Sequence, residues 1–409
     1  MKKILLTLLS VLMVTGTMAQ THLRVWQKGK DNRMKIASVG DMTFSGSQLT
    51  LKDKTYELKS IDSIVVVPEV TVQYSGTTAT VNIPAAVNQS VTAKVSGGHV
   101  ELTNTDEKNE IEVVLAGQCS DGSFTYKGQY KTTFILNGLN LTSSKGAAIN
   151  IDCGKRCALE LADGTVNTLV DATNGNQKAC LYCKGHLEVE GSGTLNVSGQ
   201  SKHAISTKEY LQLKKTTGTI NIVKAASDGI HCGQYFQMNG GVVTIDENTI
   251  GDGIQVEALL LDDGTPDPNE EKNGQLIIKG GKTKQTISHE DCKGLKCDGT
   301  ITISGGDIDI TASGNGSRGV QADGLMTINE NDATTTINIL ATGGRCTLKE
   351  CADDPHRCVG MKLDGGLVLQ AGQVTVKATG SKSRSIQVPV GGYTKTGGTL
   401  TCDPKITEK

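Results

Sequence analysis

Apolar and polar residues alternate along this chain in short bursts, and the bursts recur. A small residue, an aliphatic one, any residue, then an apolar or small one is found around Ile149, Leu181, Ile205, Ile230, Ile254, Leu295, Val320, Met361 and Ile386. Where nothing intervenes, these anchors lie 24 or 25 residues apart, as from Leu181 to Ile205, Ile205 to Ile230 and Leu295 to Val320. Each period holds three alternating segments. In one copy they start at Ile205, Leu211 and Ile220, and in the next at Ile230, Phe236 and Val243. Alternation over so few residues marks a strand with one side buried. A fixed period of this length marks stacked units that bury a face against their neighbours. The pattern predicts an all-β fold: a right-handed parallel β-helix with three short strands per coil.

The stretch before the coils reads differently. Alternation near Leu23, Met34, Leu49 and Ile61 predicts a small β module over residues 20–69, and the helix is expected over 70–409. Its first coils are irregular, with candidate strands near Ile111, over 133–141 and at Ile149. An open end of a parallel stack is an unpaired edge, so residues 70–110 are expected to cap it. Three insertions break the period. Residues 262–273 are expected between the second and third strands of one coil, and 282–292 and 343–358 before the first strand of the following coil. Long loops at one corner would build a shared surface.

Lys2 and Lys3, the apolar run from Ile4 to Val14 and the Thr17-Met18-Ala19 site read as a signal peptide over 1–19, cleaved near Ala19. The mature chain is expected to be secreted: periplasmic, cell-surface-associated or extracellular. No other apolar run is long enough for a bilayer, so no membrane insertion is expected. A formal net charge of −2 gives no bulk attraction for nucleic acid. Twelve cysteines fit an oxidising compartment. Cys183, Cys232 and Cys297 fall where the alternation points inward and read as small buried hydrophobes. Cys292, Cys346, Cys351 and Cys358 fall in loops, where bridges are more useful.

Stacking turns equivalent positions into surface columns. Directly before the anchor the column is small throughout (Ala148, Gly229, Gly294, Gly319, Ser385), as a tight corner requires. One residue earlier it reads Ala179, His203, Asp228, Asp252, Lys293, Arg318, Val359 and Arg384. Three residues after the anchor it carries Glu257, Asp298, Asp323 and Asp364. Adjacent like charges are unfavourable unless neutralised. Lys296 and Lys362, solvation, or a bound divalent cation would each serve. Calcium takes six to eight oxygens in loose geometry, which makes Asp228, Asp252, Glu257, Asp298 and Asp323 its candidate ligands. The alternative is that an aspartate before glycine makes a local turn bond.

Asp228-Gly229-Ile230 and Asp252-Gly253-Ile254, with the entry stretch Leu161-Ala162-Asp163-Gly164-Thr165-Val166-Asn167-Thr168-Leu169, resemble an exported β-helix family. That family binds cellulose and acidic polysaccharides such as polygalacturonate and is similar in structure to pectate lyases. The resemblance runs from about Val70 to Leu400. It implies calcium on one wall, corner aspartates among the ligands, and polysaccharide binding without an established catalytic role. Ser227 and Gly251 stand where many members carry a further aspartate, and Lys293, Arg318 and Arg384 replace it in later coils.

The leading expectation is a noncatalytic, calcium-dependent monomer whose partner is an acidic, pectin-like glycan, held by Lys293, Lys296, Arg318 and His231. Aromatics at 3% argue against stacking on flat crystalline faces. The second expectation is a polysaccharide lyase: calcium would acidify the α-proton and Lys293, Lys296 or Arg318 would remove it. The third is a structural or adhesive surface protein, for which nine coils give a rod of only about 40 Å.

Overall fold

The computed structural model describes residues 22–28, 30–36, 39–352 and 356–409; the leader expected over 1–19 lies outside them. Among the described residues the protein is all-β, with two short 3-10 turns, Leu58–Ser60 and Lys349–Cys351, and no α-helix.

The recurring anchors pair with one another. Thirteen strands stack into one sheet, here the first wall, and nine of them carry the predicted anchors. Phe124 pairs with Ile149, and the register continues through Leu181, Ile205, Ile230, Ile254, Leu295, Val320, Met361 and Ile386, parallel at every step. Leu187–Glu190, Leu211–Leu213 and Tyr235–Met238 belong to a second wall, and Thr194–Gly199, Thr219–Ala225 and Val242–Ile245 to a third. Inward side chains from all three walls form one continuous apolar core. The architecture is a parallel β-solenoid of three-stranded coils.

Two insertions differ from the sequence reading. Residues 262–273 lie between Ile254–Val256 and Gln275–Ile287, hence between the first and second strands of their coil. Residues 282–287 are no insertion: they are the far end of Gln275–Ile287, which bends at Gly280 and Gly281 to serve both walls. Gly281 has φ +89°, and a Cβ there would meet the Gly241 carbonyl oxygen at 2.6 Å. The strand escapes a hydropathy reading because its inward residues include Thr283 and Gln285, which pack beneath Val243 and Ile245. The 343–358 loop does precede the strand Val359–Leu363.

The entry stretch that carries part of the resemblance has a structural duty. Asn167 is fully buried; its Oδ1 accepts the Leu139 N–H at 2.9 Å and its Nδ2 donates to the Thr194 carbonyl at 3.2 Å. Asp163 accepts the Ser192 N–H and hydroxyl at 3.2 and 2.6 Å. Both side chains thus tie one coil to the next.

At the N-terminal end, Thr78–Asn82 and Val91–Ser96 close the stack with antiparallel pairing, within the segment expected to cap it. Ahead of them are two three-stranded sheets, one of His22–Gln27, Lys30–Lys35 and Ile61–Val67, the other of Met42–Ser45, Gln48–Leu51 and Lys54–Glu57. These have their own small core. They dock through ions: the buried Glu112 carboxylate meets Arg24 at 3.0 Å and Arg33 at 2.7 Å, and Arg33 also pairs with Glu160. Removing one partner of such a buried network costs far more than an exposed pair would.

The small-residue column explains how the coils approach so closely. A Cβ at Gly319 would sit 2.5 Å from a methyl of Ile339 and 2.6 Å from the Gly360 carbonyl oxygen. Gly319→Val is therefore expected to destabilise the solenoid by about 1–3 kcal/mol, the usual range for overpacking. A urea titration measures this, and an unchanged midpoint would contradict the close packing.

Candidate functional site

On the outer face of the first wall, the residue two before each anchor lies beside the residue one after it. Asp228 lies beside His231; Arg318 donates to Gln321 Oε1 and Arg384 to Gln387 Oε1, both at 2.7 Å. The wall therefore carries a double column of polar groups. Its sign changes along the axis: acidic at the Ile230 and Ile254 coils, basic from the Leu295 coil onward.

In the acidic half, Asp228 is buried and sandwiched. His203 Nδ1 and His231 Nδ1 approach its Oδ2 at 3.1 and 3.2 Å, and its Oδ1 accepts the Asp252 N–H at 2.9 Å. Burial pushes the carboxyl up, but the two imidazoles and that N–H outweigh it and hold it well below the usual carboxylate range. Burial pushes His231 down, yet Asp228 and Glu257 together lift it to about 9. His203, the more deeply buried ring, is lowered by burial despite Asp228. At neutral pH the trio is thus a carboxylate, one imidazolium (His231) and one neutral imidazole. The rings stack with centroids 4.4 Å apart.

Asp252 repeats the motif one coil later. Its Oδ1 accepts the Lys293 N–H at 2.8 Å and its Oδ2 lies 3.5 Å from Lys296 Nζ. Burial raises its carboxyl. Each corner aspartate therefore bonds to the backbone of the following coil, a longer reach than the local turn bond the sequence allowed. The Ser227 carbonyl, a possible cation ligand, accepts the Gly251 N–H at 2.9 Å.

Glu257, Asp298 and Asp323 lie on successive coils, their N–H groups bonded to Cys232, Val256 and Cys297. Glu257 accepts Gln255 Nε2 at 3.0 Å and faces His231 Nε2 at 3.5 Å. Burial, Glu257 and Asp323 raise the Asp298 carboxyl, opposed by Lys296. Among the described residues, two groups place three ligand atoms within 4.8 Å of one another: His203, Asp228 and His231, and Cys346, Cys351 and His356. In the second group Cys346 and Cys351 are joined in a disulfide. Imidazole nitrogens suit transition metals better than calcium, whereas the oxygens of Glu257, Asp298 and Asp323 suit calcium.

In the basic half, a residue absent from the sequence reading is the hub. Asp291 accepts Lys293 Nζ at 3.2 Å, Arg318 at 3.5 Å and His356 Nε2 at 2.7 Å. All three groups named as elimination bases are therefore ion-paired: Lys293 and Arg318 to Asp291, Lys296 to Asp252. His203 and Asp291 were legible only as a column member and a loop residue.

A second feature also went unread. Five residues after three successive anchors, His186, Tyr210 and Tyr235 stack at 4.3 and 4.5 Å, and Lys272 covers Tyr235 at 5.0 Å. The common offset was the available signal. The rings face one another, so they form an internal ladder rather than an open platform. Of the four loop cysteines, Cys346 and Cys351 are bridged while Cys292 and Cys358 are free; Cys183, Cys232 and Cys297 are buried as expected. No helix of the described residues is long and apolar enough to cross a membrane.

Comparison with known proteins agrees with this architecture. Residues 96–402 match the profile of the family described as "Carbohydrate-binding domain-containing protein". A protein of that description from Acetivibrio thermocellus is 27% identical over 145 residues, 32% of this chain and 50% of the relative. The chain thus spans about half the length of that relative. Among solved structures, a gadolinium derivative of the polysaccharide lyase-like protein from C. thermocellum superposes with a TM-score of 0.53 at 22% identity, over 65% of this chain and 98% of the other. That likeness concerns the fold. The family match extends over most of the solenoid, and the chain belongs to the carbohydrate-binding domain-containing proteins.

Proposed function

We propose that this is an exported, noncatalytic polysaccharide-binding protein that holds an acidic glycan along the outer face of the first wall. Family membership supports the polysaccharide. The acidic preference rests on one observation: Lys293 and Arg318 stand in register on adjacent coils, and Lys296 lies on the same strand as Lys293, beside further basic residues. Lysine supplies a point charge for a uronate carboxylate, and arginine a planar two-pronged donor. The solenoid is inferred to wind right-handed, the hand that parallel crossovers almost always take.

Calcium completes the reading. Glu257, Asp298 and Asp323 would hold it, and Asp228 and Asp252 would have to surrender their histidine or lysine contacts to join them. A bound cation would relieve the repulsion that raises Asp298 and offer a bridging point for a second glycan carboxylate. A lyase has less support, because each offered base is engaged in an ion pair and would first have to be released.

Two outcomes are expected. Retention of polygalacturonate in affinity electrophoresis should drop about tenfold or more in Lys293→Ala/Lys296→Ala, and also when a chelator removes calcium, with no ultraviolet-absorbing unsaturated product formed. Unchanged retention in the double variant would end the wall assignment; unchanged retention with chelator would end the calcium part.

The second concerns pH. Because the folded His231 pKa is raised above its unfolded value, its stabilising contribution is complete below pH ~6.5 and is lost as pH rises through about 9. Asp228 is depressed, so its contribution is lost as pH falls into the acid range below pH ~4. His231→Gln should therefore cost about 2 kcal/mol between pH ~4 and ~6.5, typical of charged hydrogen bonds, and progressively less towards pH 9. A stability gap that stayed constant from pH 6 to 10 would contradict the pairing.

A further inference from the structure

Residues 343–352 and 356–358 lie against the basic end of the first wall. Cys346 is bridged to Cys351, the Cys346 N–H donates to the His356 carbonyl at 2.9 Å, and the Cys358 N–H to the Gly344 carbonyl at 2.9 Å. His356 is tied to Asp291 beneath it. These contacts bring Arg345 and Arg357 opposite each other in an antiparallel bridge. Between loop and wall is a cavity of about 290 Å³ whose lining includes Arg318, Arg345, Arg357, Lys362, Arg384 and Lys409. Among the described residues no aspartate or glutamate side chain lines it.

We propose that this cavity is a subsite for one anionic substituent, a carboxylate or a sulfate ester, on a glycan chain. The inference rests on the polysaccharide reading above and adds to it a specific receptor between the wall and Arg345, His356 and Arg357.

Three observations support it. Guanidinium groups crowded in one place repel unless an anion is shared between them: Arg384 is lowered first by burial and then by Arg357 and Arg345. Among the described side chains, Lys362 pairs with Asp364 at 2.7 Å and Arg318 reaches Asp291 only at 3.5 Å. Most informative is Arg318. It is only 8% exposed, and its Nε is buried without a hydrogen-bond partner while an Nη donates to Gln321. A buried, unpaired N–H on a cation is costly, and an anion accepting from Nε and its neighbour would supply the bidentate geometry guanidinium favours. The volume is at the low end for ligand sites, so it suits a single charged group with its ring, the chain continuing along the wall.

The test uses the full-length mature protein and the double variant Arg345→Gln/Arg357→Gln, which changes two outer side chains and leaves the core alone. Retention is measured on polygalacturonate, dextran sulfate and neutral cellulose, and inorganic sulfate and galacturonate are titrated calorimetrically. The variant is expected to lose affinity about tenfold or more for polygalacturonate, dextran sulfate or both, with cellulose retention unchanged; the larger loss identifies the substituent. Arg345→Lys/Arg357→Lys should fall between, keeping charge without the two-pronged geometry, and circular dichroism confirms that each variant folds. Equal binding of both anionic polymers by wild type and variant would overturn the subsite, even if Lys293→Ala/Lys296→Ala still weakens retention. If wild type is retained by no polysaccharide, the wider reading falls, and the small-anion titrations decide the cavity separately: binding lost in the variant upholds it, no binding by wild type ends it.

Discussion

Backbone N–H groups of each coil bond to carbonyls of the coils on either side. The Ile205 N–H reaches the Gly229 oxygen at 3.0 Å, the Ile230 N–H the Gly253 oxygen at 2.9 Å, and the Gly253 N–H the Lys293 oxygen at 2.7 Å. This ladder sets register, and register sets everything that follows. A strand shifted by one residue would turn its anchor out to water and its charge into the core. With the anchors fixed, offsets from them become lines on the surface, and residues such as Asp228 and Asp252 become neighbours. The small column keeps the ladder short: a bulky side chain at Gly319 would collide with Ile339 and the next backbone.

Polar side chains on the first wall reinforce that ladder as well as decorating it. Asp228 and Asp252 each accept, with one oxygen, a backbone N–H of the next coil, and hold a cationic side chain with the other. Stability and recognition thus draw on the same groups. Farther along, the sign of the double column reverses, and Arg345 and Arg357 join Arg384 around one cavity.

Much of the fold was legible because its signal is redundant: nine aliphatic anchors repeat one pattern, and all nine pair in the expected order. The strand ending at Ile287 was not, since Thr283 and Gln285 are polar yet buried and a glycine pair hides the corner. Of the site, the columns were readable and their partners were not. A fixed offset puts Asp228 beside His203 and His231, but only the side-chain conformations show one carboxylate oxygen shared by both rings. Asp291, Arg345 and Arg357 lie in loops outside the repeat, where no offset predicts what they meet.

The central claim, that the register makes neighbours of residues far apart in sequence, is tested most directly by paired cysteine substitution on the outer wall. Gln321 and Lys362 are paired across adjacent strands and both are partly exposed. Adjacent parallel strands lie ~4.8 Å apart, within the Cα separation a disulfide accepts, whereas a diagonal offset of two residues exceeds about 7 Å. Under mild oxidation, Gln321→Cys/Lys362→Cys should form the bridge in peptide mapping and Gln321→Cys/Asp364→Cys should not. A bridge in the second pair and none in the first would contradict the register and every column drawn from it.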